Sequence, residues 1–476
     1  MSRTTGLVKR IGTRFLPFAD AATTDLPLSR LLRLSLFQVS VGLAMVLLNA
    51  TLNRVMIVEL GISATVVAVL VALPLLFAPL RALIGHKSDS HRSILGWKRV
   101  PYIWAGTMLQ FAGLAIMPFA LLVMTGDGRS GPLAGEIFGA VAFLMVGAGV
   151  AITQTAGLAL ANDLAPPETR PRVVSLLYTM LLVGMLISSV VLGRILTDFT
   201  ETQLVGVIQG TAVITLVLNV VALWKQEVRQ TGGTSVTAEQ DQDFSARWSD
   251  FTAAPRTRRL LVAVALGAAG FGMQDILLEP YGGQVLGLSV GRTTALTALS
   301  SMGTLIGLSL AAQALAQGRD PARMAAYGAL AGIVAFAMVV FSAPMHSVAL
   351  LSLGTTGIGF GNGLFAVCTL TAAMALGEKS GSGLALGVWG AVQATAAGLA
   401  ILASGAIRDL VGAAAMAGHL GPGLVDPATG YSIVWHVEIA LLFGSLIALG
   451  PLARRSADAQ TRAQARARFG LTEFPT

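Results

Sequence analysis

The sequence predicts an all-α integral membrane protein: twelve transmembrane helices in two six-helix halves, with both termini cytoplasmic. Three observations predict it. Charged residues make up only 12% of the 476 positions and hydrophobic ones 54%, whereas a soluble domain carries about 25% charged residues. Apolar runs of about 20 residues recur along the whole length, each long enough to cross a hydrocarbon core of ~30 Å. Lys and Arg gather in alternate connections, so that about 27 of the 32 fall on one side, as the positive-inside rule requires. Termini that share that side require an even number of spans.

Taken in order, residues 1–34 form a basic cytoplasmic arm with Arg3, Lys9, Arg10, Arg14, Arg30 and Arg33. The first half, 35–224, carries spans at 35–58, 63–84, 100–124, 135–160, 173–194 and 203–224. Its second connection is basic through Arg81, Lys87, Arg92, Lys98 and Arg99. A polar segment, 225–258, rich in Gly, Thr, Gln and charge, reads as a cytoplasmic linker with a short surface helix around Phe244–Phe251. The second half, 259–452, carries spans at 259–280, 292–316, 325–343, 347–376, 383–405 and 432–452. Residues 453–476 form a basic cytoplasmic tail, read either as a helix on anionic lipid or as a solvated chain. No signal peptide is expected ahead of the first span. The net charge of +8 belongs to this topology rather than to a nucleic-acid partner. The single Cys368 excludes an internal disulfide.

The segment GMQDILLEPYGG, 272–283, places Asp275 and Glu279 in an otherwise apolar span, with Gln274 beside them. Four residues apart on a helix, the two carboxylates share a face. Each costs roughly 2.5–3.5 kcal/mol at a membrane centre, so they must pair, protonate or face something polar. At 1.5 Å per residue, Asp275 lies about 22 Å and Glu279 about 28 Å from Leu260 at the cytoplasmic edge; Arg54 lies about 30 Å from Leu34. All three therefore belong to the outer leaflet or its interface. Pro280 and Gly282–Gly283 are expected to break the helix just beyond. Residues 49–63, NATLNRVMIVELGIS, align without gaps to 275–289, DILLEPYGGQVLGLS. Asn49 falls on Asp275 and Asn53 on Glu279, and the Leu-Gly-x-Ser ends coincide. The alignment suggests two halves related by duplication. Asn49 and Asn53 read as interhelical hydrogen-bond donors.

The loop GHKSDSHRSILGWKR contains Gly85, Asp89, Gly96, Lys98 and Arg99. It resembles the signature loop of the major facilitator superfamily, in which a glycine, an aspartate and a basic cluster lock two helix ends on the cytoplasmic side. It departs from that pattern by extra residues between Asp89 and Gly96. Together with QVSVGLAMVLLNATLNRVMIVELG in the first span and GMQDILLEPYGGQVLGLSVG in the seventh, the sequence resembles the PucC/LhaA family over residues 30–452. This is the bacteriochlorophyll delivery branch of that superfamily, in the inner or intracytoplasmic membrane of anoxygenic phototrophs. Within it the similarity is greatest to the LhaA branch, associated with the core antenna (light-harvesting complex 1).

The resemblance implies a major facilitator superfamily fold and an assembly factor that binds antenna polypeptides and delivers or shelters bacteriochlorophyll, held transiently. Light-harvesting complex 1 polypeptides and membrane lipids are the implied partners, with the reaction centre and pigment-synthesis enzymes next. In that fold the first and seventh helices face a central cavity, which suggests Arg54 as counter-ion to Asp275 or Glu279 in an outer gate. A proton-coupled solute transporter using those carboxylates, and a pigment-free membrane chaperone, stay open as alternatives. No metal cluster, nucleotide loop or nucleophile–base pair is visible, so no enzyme is expected. Among five histidines only His436, beside Trp435, lies in an apolar span. It reads either as an interfacial anchor or, with Glu279, as a pigment ligand.

Overall fold

The structure, a computed structural model, describes residues 26–76, 97, 99–125, 132–166, 169–227, 254–376 and 382–468. Of the predicted loop, Gly85, Asp89, Gly96 and Lys98 lie outside the described residues, as do the tip of the linker and the Phe244–Phe251 segment.

All described elements are helical, and twelve helices follow one another in the order expected. They are α1 (Leu28–Glu59), α2 (Ala64–Leu76), α3 (Val100–Met124), α4 (Pro132–Leu164), α5 (Arg170–Ile195) and α6 (Glu201–Leu223), then α7 (Pro255–Gln284), α8 (Val290–Ala316), α9 (Pro321–Ser342), α10 (Val348–Leu376), α11 (Ser382–Met416) and α12 (Ala428–Arg468). Eleven are long and apolar enough to cross a membrane, and α2 is apolar over its 13 described residues. Local sequence sets many of the boundaries. Pro occupies the first turn of α3, α5, α7 and α9, where its missing N–H costs nothing. Thr200 and Asp320 cap α6 and α9 through the backbone N–H of Gln203 and Arg323.

Three boundaries differ most from the sequence reading. The helix of the first span starts at Leu28 rather than 35, and that of the eleventh runs to Met416 rather than 405. The twelfth continues through Pro451 into the basic tail as far as Arg468. The tail therefore extends a membrane helix, and polar composition marks the end of a span without marking the end of its helix.

The chain forms two compact units. The first holds α1, α3–α6 and the opening turns of α8; the second holds α2, α7, the rest of α8 and α9–α12. In the first, Phe37 of α1 is buried with Ile103, Leu160 and Leu177, and its ring lies over Gly157. Lipid tails are as apolar as leucine, so helix association relies on close contact and hydrogen bonding. The α3–α4 pair shows this: a methyl on Gly149 would lie 2.5 Å from Gln110 N. In the second unit Gly303 and Gly359 admit the α10 and α8 carbonyls of Thr356 and Ser300 in the same way. Polar bonds supplement the contacts, with Asn219 Nδ2 donating to Thr107 Oγ1 (3.0 Å) and Ser445 Oγ to Ala263 O (2.9 Å).

Candidate functional site

The two segments aligned by sequence end in the same way. Gly61 and Gly287 both adopt φ +64°, the left-handed conformation that glycine takes at helix ends without a Cβ penalty. Ile62 N donates to Met56 O and Leu288 N to Gly282 O, at 2.8 and 3.0 Å, bonds that coincide in the alignment. Val67 N to Ser63 O and Thr293 N to Ser289 O then start the next helix in each half. The correspondence therefore extends to individual backbone bonds.

Inside these ends the copies are wound differently. In α1, Leu47–Leu52 and Val55–Glu59 are π-helical. A π turn closes from i to i+5, bringing residues five apart onto one face. Buried Arg54 accordingly reaches Glu59, with Nη1 2.5 Å from Oε1. The sequence reading missed Glu59, because α-helical spacing turns it away from Arg54. Asn53 Nδ2 donates to the Asn49 carbonyl of its own helix.

In α7 the sense reverses. Met273–Ile276 is 3-10 helix, Leu277 separates it from Leu278–Gln284, and the α-geometry expected to place both carboxylates on one face is interrupted between them. Asp275 is exposed while Glu279 is buried. Gln274 Nε2 donates to Asp275 Oδ1 at 2.5 Å. A break precedes Pro280 as well as following it: Pro280 sits in the first turn of the resumed helix, where proline is accommodated, and that helix ends at Gln284, just past Gly282–Gly283. Behind this break lies Glu438 of α12, fully buried, a residue the sequence reading did not single out. Its carboxylate faces the Gln274 backbone and lies within charge range of Asp275. Neither oxygen has a donor of good geometry among the described residues. Arg54 belongs to the first unit, and Asp275, Glu279 and Glu438 to the second.

Past Pro280, α7, α9 and α12 meet in an aromatic stack. Tyr281 stands edge-on to Tyr431 and Trp435, at centroid distances of 5.5 and 5.7 Å, and Trp435 stacks on Phe336. Tyr281 Oη lies 2.9 Å from Ser342 Oγ. Arg408 of α11 lies over the Tyr431 ring at 4.9 Å, and both donate to Gln284 Oε1 at 2.6 and 2.7 Å. Beside Arg408, Asp409 accepts from Thr65 N and Thr65 Oγ1, each at 2.7 Å, and from Ala64 N at 3.3 Å. It thereby caps α2 from a residue 344 positions away.

Against this stack lies a half-open cavity of about 820 Å³, bordered by the end of α7, the α9–α10 turn and the α11–α12 connection. Its lining is mostly aliphatic and aromatic, with Asp426 the one formally charged residue and His346 and His436 the imidazoles. His436 lies on this cavity, exposed, with Nδ1 2.7 Å from Ser432 O. His346, in the α9–α10 turn, holds φ +46° as the residue that closes α9.

In the first unit, Arg99 is the one residue of the predicted loop cluster among the described residues, and it is buried. Its Nε lies 3.0 Å from Asp163 Oδ2, and Glu227 accepts from the backbone N–H of Arg99 and Val100 at the start of α3. Arg30 and Gln226 bond reciprocally, joining α1 to the end of α6.

A family model described as "PUCC protein" matches residues 51–457. A Rhodobacter capsulatus protein described as "Uncharacterized protein in puhA-bchM intergenic region" is 53% identical over 472 residues, 99% of each chain. "Protein PucC" of Rhodovulum sulfidophilum is 55% identical over 409 residues, 85% of this chain and 90% of the relative. Among solved structures, a bacterial homologue of the human lysosomal transporter Spinster superposes with a TM-score of 0.68 at 15% identity, covering 90% of this chain and 96% of that one. At that identity the likeness concerns the fold alone, which is that of major facilitator superfamily transporters.

Proposed function

The chain belongs to the PUCC protein family, and from that membership we propose that it is an assembly factor for the core light-harvesting antenna of an anoxygenic phototroph. In this reading it sits in the bacterial inner or intracytoplasmic membrane with both termini cytoplasmic. It binds antenna polypeptides laterally and holds bacteriochlorophyll while they insert and oligomerise. The observation that carries the reading is the cavity of the second unit. A volume of about 820 Å³ with a mostly aliphatic lining and one formal charge suits a large apolar cargo bearing a few polar groups better than a hydrophilic solute.

The test is affinity purification of the chain in mild detergent from a phototrophically grown strain. Near-infrared absorption and mass spectrometry then read pigment and polypeptides. Co-purification of bacteriochlorophyll with core-antenna polypeptides is expected. Antenna polypeptides without pigment would favour the chaperone, and neither would favour the transporter. Deletion of the gene should lower core-antenna absorption several-fold relative to the reaction centre.

A further inference from the structure

Glu438 has no counter-charge. It is 0% exposed within α12, and neither carboxyl oxygen has a donor of good geometry among the described residues. Trp435, three residues earlier on the same helix, leaves its buried indole N–H without an acceptor, so that donor does not reach it. The elements packed against α12 bring no cation to this level. A methyl on Gly270 of α7 would lie 3.3 Å from Glu438 O, and Arg256, Arg258 and Arg259 of α7 come eleven or more residues before that glycine. Trp435 and Leu442 meet α9 at Phe336 and Gly332, between which no residue is ionisable. In α11, Ala397 lies against α7, and the first charged residue, Arg408, stands about 16 Å further along the helix, paired with Asp409. Tyr281 is bonded to Ser342, Tyr431 to Gln284 and His436 to Ser432. What remains is acidic: Asp275, within charge range, and Glu279 beyond the break. A carboxyl group buried away from water without a partner takes up a proton rather than keep its charge.

The same group faces the interruption of α7. Met273–Ile276 is 3-10 helix inside a membrane span, and the Glu438 carboxyl faces its Gln274 backbone. A 3-10 stretch within a longer helix often marks a hinge. Asp275 belongs to the same turn, exposed and accepting from Gln274 Nε2. We propose that Glu438 is a proton-binding site that governs this hinge. As the neutral acid it lets α12 pack against the turn. Its ionisation releases one proton to solvent and leaves a second negative charge within range of Asp275, which loosens the turn. The switch is independent of what the second-unit cavity holds.

The experiment uses the full-length protein in nanodiscs. Infrared spectra of wild type carrying isotope-labelled glutamate report the C=O stretch of protonated glutamate apart from aspartate. Hydrogen–deuterium exchange of a peptide spanning residues 270–284, corrected for intrinsic rates, reports the hinge. At neutral pH wild type should show the protonated band, and Glu438→Gln, which keeps the shape but cannot ionise, should lose it. Raising the pH to about 9, where buried glutamates ionise, should remove the band and speed exchange several-fold in wild type. Exchange in Glu438→Gln should stay at the wild-type neutral level across that range, and Glu438→Met, a second neutral variant, should behave alike. Asp275→Asn removes the opposing charge, so the transition should move to lower pH. Absence of a protonated-glutamate band in wild type at neutral pH would overturn the assignment without recourse to any variant. A band that survives in Glu438→Gln, or exchange that rises with pH equally in that variant, would overturn it too.

Discussion

Asp409→Ala tests the cap of α2. The first four N–H groups of a helix have no partner within it. In α2 these are met by Asp409, which takes Ala64 N and Thr65 N, and by Ser63, whose Oγ takes Val66 N at 3.3 Å. Removing an N-cap side chain costs about 0.5–2 kcal/mol, and bonds to a charged acceptor lie at the upper end, about 1.5–3 kcal/mol each. Asp409 is 20% exposed, so solvent compensates part of the loss. A net opening cost lower by about 1–2 kcal/mol corresponds to roughly 5–30-fold faster exchange. Hydrogen–deuterium exchange of a peptide spanning residues 60–70, in nanodiscs, should show that acceleration. Asp409→Asn keeps one acceptor and should fall between wild type and Ala. Ser63→Ala removes only the Val66 bond and should affect less. Unchanged exchange in Asp409→Ala would refute the argument that a distant carboxylate holds the start of α2.

Gly61→Ala and Gly287→Ala should each lose about 1–2 kcal/mol, since both glycines hold φ +64° with open space where a Cβ would go; matched drops in thermal midpoint are expected. Glu438→Met should match or exceed wild type in detergent thermal stability, because a buried carboxylate without donors is replaced by an apolar side chain of similar length. Glu227→Ala should destabilise more than Arg99→Ala in the same assay. The first strips the N-terminus of α3 of three bonds, whereas the Asp163 partner of Arg99 is 45% exposed and such a pair is worth less than about 1 kcal/mol.

Hydropathy located every span because a membrane demands length and apolarity of each helix separately. Their order, and the residues of the repeated element, were legible for the same reason. The pairings were not. Glu59 became a partner of Arg54 only through π winding, which leaves no period in the sequence. Glu438 was hidden in YSIVWHVEIALLF behind its histidine and tryptophan neighbours. The Arg408–Asp409–Thr65 cluster joins residues whose separation in sequence exceeds 340, and it lay beyond the expected end of the eleventh span. Asp275 and Glu279 were rightly placed in one element, but their shared face presumed an unbroken α-helix. His436 was visible as a type and position; its Nδ1 bond and its place on a cavity came from the packing of α12.

The matched ends of the two repeated segments carry a geometric consequence. Counting back from Gly61 and Gly287, equal numbers of residues lead to Asn49 and Asp275, yet one path is loosely coiled and the other tightly coiled. Equal counting therefore delivers aligned side chains at unequal azimuths and heights. The two segments thus differ in pitch, with neither insertion nor deletion between them. Their gapless alignment mispairs polar groups in space. Exchanging Asn49–Asn53 with Asp275–Glu279 would consequently fail to transplant the chemistry of either copy.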